Sequence, residues 1–148
     1  MFMDAFFSRS IARGWTSDEI LYADLGINSG GGIYTIDTSH VQVEKTVFNR
    51  NRADTYGGGL FCFKTDFFAN INNQFLENMG RRGGAFYMSV VILSIAINCS
   101  FAQNTATKHG GGIYSIASIQ FYMSNCMIVG NHADEYSAGI NIQTSDER

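Results

Sequence analysis

Apolar and polar residues alternate along this chain in short runs, and the runs come back at a fixed interval. Val41 and Val43 alternate with polar neighbours, as do Phe121 and Met123. After a break, Cys99 with Phe101 and Cys126 with Ile128 do the same. Period-two runs of four to six residues, separated by Gly, Asn and Ser, predict short strands joined by turns. The interval is marked by glycine: Gly30-Gly31-Gly32-Ile33-Tyr34, Gly57-Gly58-Gly59-Leu60-Phe61, Gly83-Gly84-Ala85-Phe86-Tyr87 and Gly110-Gly111-Gly112-Ile113-Tyr114. A worn copy stands at Ser137-Ala138-Gly139-Ile140-Asn141, and the steps are 27, 26, 27 and 27 residues. Between these lie Phe48-Asn49-Arg50-Asn51, Phe75-Leu76-Glu77-Asn78, Phe101-Ala102-Gln103-Asn104 and Ile128-Val129-Gly130-Asn131, each Asn followed two places on by Ala53, Gly80, Ala106 or Ala133.

A self-similar period in the twenties means stacked coils. Helix pairs need longer repeats, and the Leu and Asn spacing of leucine-rich repeats is absent. Three short strands and three turns fill about 27 residues at strand rise, so the expected fold is all-β: a parallel β-helix, right-handed because crossovers favour that hand. The coils are 30–56, 57–82, 83–109 and 110–136, with a partial fifth over 137–148; residues 1–29 form an N-terminal cap segment. Equal repeat positions then stack about 4.8 Å apart. Ile33, Leu60, Phe86, Ile113 and Ile140 make one core row, and Phe48, Phe75, Phe101 and Ile128 another. Asn51, Asn78, Asn104 and Asn131 make a structural ladder, passing hydrogen bonds between side-chain amides, with Asn also suiting a left-handed turn. The glycine triplets are not a phosphate loop, because no Lys-Ser/Thr follows and the next segment reads as strand. They supply positive φ and let successive coils approach closely.

In the cap segment, Asp4 starts a short amphipathic helix that Gly14 stops, and Thr16 with Glu19 makes a capping box ahead of Ile20, Leu21 and Leu25. Alternatively Leu21 to Gly26 is a degenerate coil end. Met1 to Trp15 has no apolar core of a secretory signal. At the other end the partial fifth coil leaves strand edges uncovered, to be met by a partner or by further chain.

The pairing of Gly-Gly-Ala/Gly-Ile with Phe-x-x-Asn over residues 30–141 resembles the polymorphic outer membrane protein repeat of chlamydial surface autotransporters. The resemblance implies a pectin-lyase-like β-helix and an adhesin-like scaffold, extracellular or at the cell surface. Ile128 departs from the family's Phe.

Composition narrows the function. The 148 residues carry a net charge of −3 and a pI near 5.5, which argues against a dedicated nucleic-acid binder. No apolar run is long enough for a transmembrane segment. The three cysteines are odd in number; Cys99 and Cys126 share a repeat position, where distance permits a bridge but parallel Cβ vectors favour free thiols. No spacing suggests zinc, and nothing calls for a metal or cofactor. Catalysis on polysaccharide needs clustered carboxylates. Asp37 and Asp66 are two places out of register, and Asp54 and Asp134 stand three coils, about 14 Å, apart, so no catalytic residue is assigned.

Two rows are the expected ligand-binding surface. Tyr34, Phe61, Tyr87 and Tyr114 follow the inward aliphatic row, so alternation turns them outward, to stack on sugar rings or bury against protein. Beside them lie Arg81-Arg82 and Lys108-His109, whose mutual repulsion is relieved by an anionic ligand or a nearby acid such as Glu135. The expected function is a non-catalytic module binding a protein or glycan surface. The alternatives are a structural subunit that self-associates through open solenoid ends, and a polysaccharide lyase or hydrolase.

Overall fold

A computed structural model of the protein describes residues 29–144, together with the strand placement of residues 6–8 and 11–12. Among the described residues sixteen strands occur in chain order. The first two are β1 (Phe6–Ser8) and β2 (Ile11–Ala12). The first full coil gives β3 (Ile33–Glu44), β4 (Val47–Asn49) and β5 (Arg52–Ala53). The second gives β6 (Leu60–Ile71), β7 (Gln74–Leu76) and β8 (Met79–Arg82). The third gives β9 (Phe86–Ile97), β10 (Ser100–Ala102) and β11 (Thr105–His109). In the fourth the long strand divides into β12 (Ile113–Ile116) and β13 (Gln120–Ser124), followed by β14 (Met127–Val129) and β15 (His132–Ala133). β16 (Ile140–Gln143) opens the fifth coil.

The strands form three parallel sheets, β1-β4-β7-β10-β14, β2-β5-β8-β11-β15 and β3-β6-β9-β12-β16, with β13 also on β9. Every pairing joins one coil to the next, so the fold is a parallel β-solenoid. Phe48, Phe75, Phe101 and Ile128 lie in one register, as do Ile33, Leu60, Phe86, Ile113 and Ile140. Both rows face the core. Phe48, Phe75 and Phe101 stack with centroids 4.5 and 4.8 Å apart, so the core is also an aromatic column.

The N-terminal segment departs from the expected helix. Phe6–Ser8 and Ile11–Ala12 are strands that pair with β4 and β5, placing Phe7 on Phe48 and Ala12 on Ala53. Phe7-Ser8-Arg9-Ser10-Ile11-Ala12 is a worn copy of Phe48-Asn49-Arg50-Asn51-Arg52-Ala53, and stacking on an exposed parallel edge overrides a weak helical pattern. The Thr16–Glu19 capping box and the coil end at Leu21–Gly26 lie outside the described residues.

Asn51, Asn78 and Asn104 are buried, Asn131 is half-buried, and the row is bonded as a ladder. Each side-chain carbonyl accepts the backbone N–H of the Asn one coil earlier, at 3.0 Å for Asn51 to Asn78 and 2.9 Å for Asn78 to Asn104 and Asn104 to Asn131. Each side-chain amide of Asn78, Asn104 and Asn131 donates to the carbonyl of Phe48, Phe75 or Phe101. The left-handed backbone of the turn is not on these Asn residues but one place earlier, on Arg50, Glu77, Gln103 and Gly130. Asn is kept for its side chain, which points inward and replaces the missing backbone partners of the turn.

Within the triplets the first glycine carries the positive φ, between 62 and 65° at Gly30, Gly57, Gly83 and Gly110. The second is the close approach: a Cβ on Gly84 would collide with the carbonyl oxygens of Gly111 in the next coil and of Thr105 in its own. At the third place, Ala85 is accommodated and buried. The 26-residue step is absorbed between Asn78 and Gly83, where β8 pairs with β11 through a register shift between Ala106 and His109.

Candidate functional site

The expected binding rows are positioned by the start of the long strand and by the turn before it. Tyr34, Phe61, Tyr87 and Tyr114 stack as a continuous ladder, with centroids 5.0, 5.3 and 5.4 Å apart. They point out of the main core but are not an open surface. Phe61, Tyr87 and Tyr114 are buried, and only Tyr34, at 39% exposure, meets solvent. This corrects the expected aromatic binding face. The cause is a second row, Tyr56, Arg82, His109 and Tyr136, whose members pair across coils and lean on the ladder. Tyr56 stacks on Tyr87 at 4.6 Å, and His109 lies 6.1 Å from Tyr114 and 5.1 Å from Tyr136. On the other flank Phe63 and Ile116 close a second apolar cluster outside the solenoid core. Burial, reinforced by Tyr56, pushes the Tyr87 hydroxyl far above its usual range.

The basic residues divide. Arg82 lies over the Tyr56 and Tyr114 rings at 5.8 and 5.9 Å, a cation-π sandwich. Lys108 reaches Glu135 at 3.2 Å, and His109 Nε2 stands 3.7 Å from the same carboxylate. Glu135 is thus the acid that relieves the turn. Burial first, then Arg82, lowers the His109 pKa, with Glu135 opposing. Arg81 alone of the four is exposed. The eight residues are brought together as a packed seam in which the buried Arg82 Nε and His109 Nδ1 have no hydrogen-bond partner among the described residues.

The cysteines are free thiols. Burial raises the Cys99 pKa to about 11, and the Cys62 thiol is raised for the same reason.

An open feature lies elsewhere, at a bend in the long strands. Asp37, Lys64, Val90 and Ala117 occupy equal places in four coils, and all have φ between 49 and 55°. Each bend turns its own side chain and the residue two places on outward. The result is a groove of about 430 Å³ running across coils, lipped by Asp37, Lys64 and Val90 on one side and Ser39, Asp66 and Ile92 on the other. Thr38 and Thr65, hydroxyls 3.0 Å apart, form its floor. Asp37 and Asp66 therefore share one groove despite being out of register. Sequence reasoning missed it because Lys64 and Val90 do not announce a left-handed bend. The recurrence of one break inside every long apolar run was the available signal.

Three in-register sheets, an internal Asn ladder and glycine turns define a parallel β-solenoid repeat protein. Residues 98–116 match the Chlamydia polymorphic membrane protein repeat, so that stretch of the solenoid is similar to such a repeat. Metabotropic glutamate receptor-like protein R of Dictyostelium discoideum is 29% identical over 112 residues, covering 76% of this chain and 7% of that protein. The chain thus spans a small part of the curated relative's length. No solved structure matches. Among the described residues no helix is long and apolar enough to cross a membrane.

Proposed function

We propose that the chain is a non-catalytic, adhesin-like module of a surface protein, holding a protein or glycan partner against the outward side chains of a rigid solenoid. One observation carries this reading. The residues that repeat in every coil are consumed by the interior, whereas the outward places at the strand bend change from coil to coil: Asp37, Lys64, Val90, Ala117. A fold that fixes its inside and varies its outside serves recognition. The repeat match and the receptor-like name of the curated relative support surface display. Catalysis is disfavoured because Asp54 is engaged by Arg52 at 3.8 Å and Asp134 by His132 at 3.0 Å, on separate coils.

The test is capture of intact cells by the immobilised chain, followed by exposed substitutions such as Asp66→Asn and Ile92→Ser that leave the melt unchanged. Binding insensitive to every outward substitution, or turnover of polysaccharide by the purified chain, would overturn the proposal. The alternative of a self-assembling subunit has its own support: at the carboxyl-side coil Phe121, Met123, Ile128 and Ile140 are only half-buried and Ile142 is exposed. Concentration-dependent oligomers in sedimentation, without ligand, would favour it.

A further inference from the structure

The bend groove is divided by polarity along the solenoid axis. Its first two coils supply Asp37, Lys64 and Asp66, and its third supplies Val90 and Ile92. Asp37 stands 3.8 Å from Lys64, so these charges largely offset one another. Asp66 is exposed and has no ion pair among the described residues, which leaves the polar half with one net negative charge. Asp66 and Ile92 occupy the same place in successive coils, between the paired positions Thr65–Val91 and Phe67–Leu93. The carboxylate and the aliphatic lip are therefore about 4.8 Å apart along the axis. Val90 and Ile92 are 45% and 49% exposed. Val90 is moreover a β-branched residue at φ 55°, where glycine or asparagine sits more easily.

We propose that this groove binds an extended peptide segment of a partner protein, with a basic side chain against Asp66 and an aliphatic side chain two residues on against Val90 and Ile92. The inference rests on the reading of the chain as a binding module and names the site and the ligand chemistry. In an extended peptide, side chains two residues apart are on one face and roughly 6.6 to 6.8 Å apart, about 2 Å more than the step from the acidic coil to the aliphatic one, a difference the flexible stem of a basic side chain takes up. The lips carry no aromatic ring, so the platform on which sugars stack is missing here, while the unpaired carboxylate selects a cation.

The experiment is a titration of the intact chain, followed by amide chemical shifts. The probes are an acetylated, amidated pentapeptide with lysine second and leucine fourth, the same peptide with glutamate for lysine, and chitotetraose. The lysine peptide is expected to shift the amides of Asp66, Val90 and Ile92 saturably. Asp66→Asn should weaken it about threefold, the scale of one exposed ion pair. Ile92→Ser should weaken it about tenfold, the scale of one aliphatic side chain removed from contact. Gln74→Ala, on exposed β7 and away from the groove, should change nothing. Equal affinity for the glutamate peptide, absence of saturable shifts at the groove, or shifts there with chitotetraose alone would each overturn the proposal. If the intact chain captures cells and that capture ignores Asp66→Asn and Ile92→Ser, the groove assignment fails while an adhesive role survives through another face; if the chain captures nothing, the wider reading fails.

Discussion

The side-chain carbonyl of Asn104 accepts two hydrogen bonds from Asn78, one from its backbone N–H and one from its side-chain amide, both at 2.9 Å. The same Asn104 donates to the Phe75 carbonyl at 3.0 Å. One buried side chain thus satisfies three polar groups of the coil before it. Asn104→Leu would leave those groups unpaired in the interior, and it should lower stability by at least about 2 kcal/mol. Chemical denaturation would show this as an earlier midpoint at unchanged slope, and equal midpoints would contradict the ladder's energetic role.

Glycine positions within one triplet should differ sharply in tolerance. Gly84→Ala drives a Cβ into the carbonyl oxygens of Gly111 and Thr105, which belong to rigid backbone. Gly59→Ala occupies the place that Ala85 already fills one coil on, and its Cβ would meet the Ala85 carbonyl oxygen at 2.9 Å. The expected loss for Gly84→Ala exceeds about 3 kcal/mol, in the tail of point-mutant effects, with a clearly smaller loss for Gly59→Ala. Paired thermal melts decide it.

His109 makes stability depend on pH in a defined direction. Its folded-state pKa lies below the ordinary 6.5, chiefly from burial and then from Arg82. Between the two values the unfolded chain binds the proton and the folded chain does not. Its contribution is therefore intact above about pH 6.5 and is lost as the pH falls from there through the lower folded-state pKa. Melts at pH 7.5 and 5.5 should separate more for the wild type than for His109→Gln, and identical separations would remove His109 from the account.

Thiol reactivity should follow position in the stack. Cys99, with its pKa raised to about 11, and buried Cys62 are protected in the native chain. Cys126, half-buried at the fourth coil, is the accessible thiol. Brief alkylation with iodoacetamide near pH 8 should label Cys126 first by peptide mass, and all three only after unfolding.

Val90→Asn should raise the melting temperature, because asparagine tolerates the left-handed backbone at φ 55° better than a β-branched residue. If the groove is used as proposed, the same change should weaken peptide binding. A variant that gains stability and keeps full affinity would detach the strained valine from recognition.

The coils, their length and both core rows were legible in the sequence, because identical residues recurring at one period have to occupy identical environments. The Asn ladder was legible as a row passing hydrogen bonds from amide to amide, as Asn78, Asn104 and Asn131 do, and only the left-handed turn was misplaced. Asn51, Asn78 and Asn104 bond inward, and the left-handed residues are Arg50, Glu77 and Gln103, types that carry no turn signature. The strands at Phe6–Ser8 and Ile11–Ala12 were hidden by wear, with Ser10 standing in the Asn place.

Alternation along a strand fixes whether a side chain leaves the core, and for Tyr34, Phe61, Tyr87 and Tyr114 the sequence alone settled that. Whether such a side chain then meets water depends on its lateral neighbours. Tyr56, Arg82 and His109 close over the ladder only because the preceding turn brings them alongside it. The bend at Asp37, Lys64 and Val90 likewise joins into one groove residues that are out of register along the chain. Periodicity therefore determined the solenoid and its inside. The tertiary structure decided which outward surface stays open, because accessibility belongs to side chains packed across rows and not to any one row's spacing.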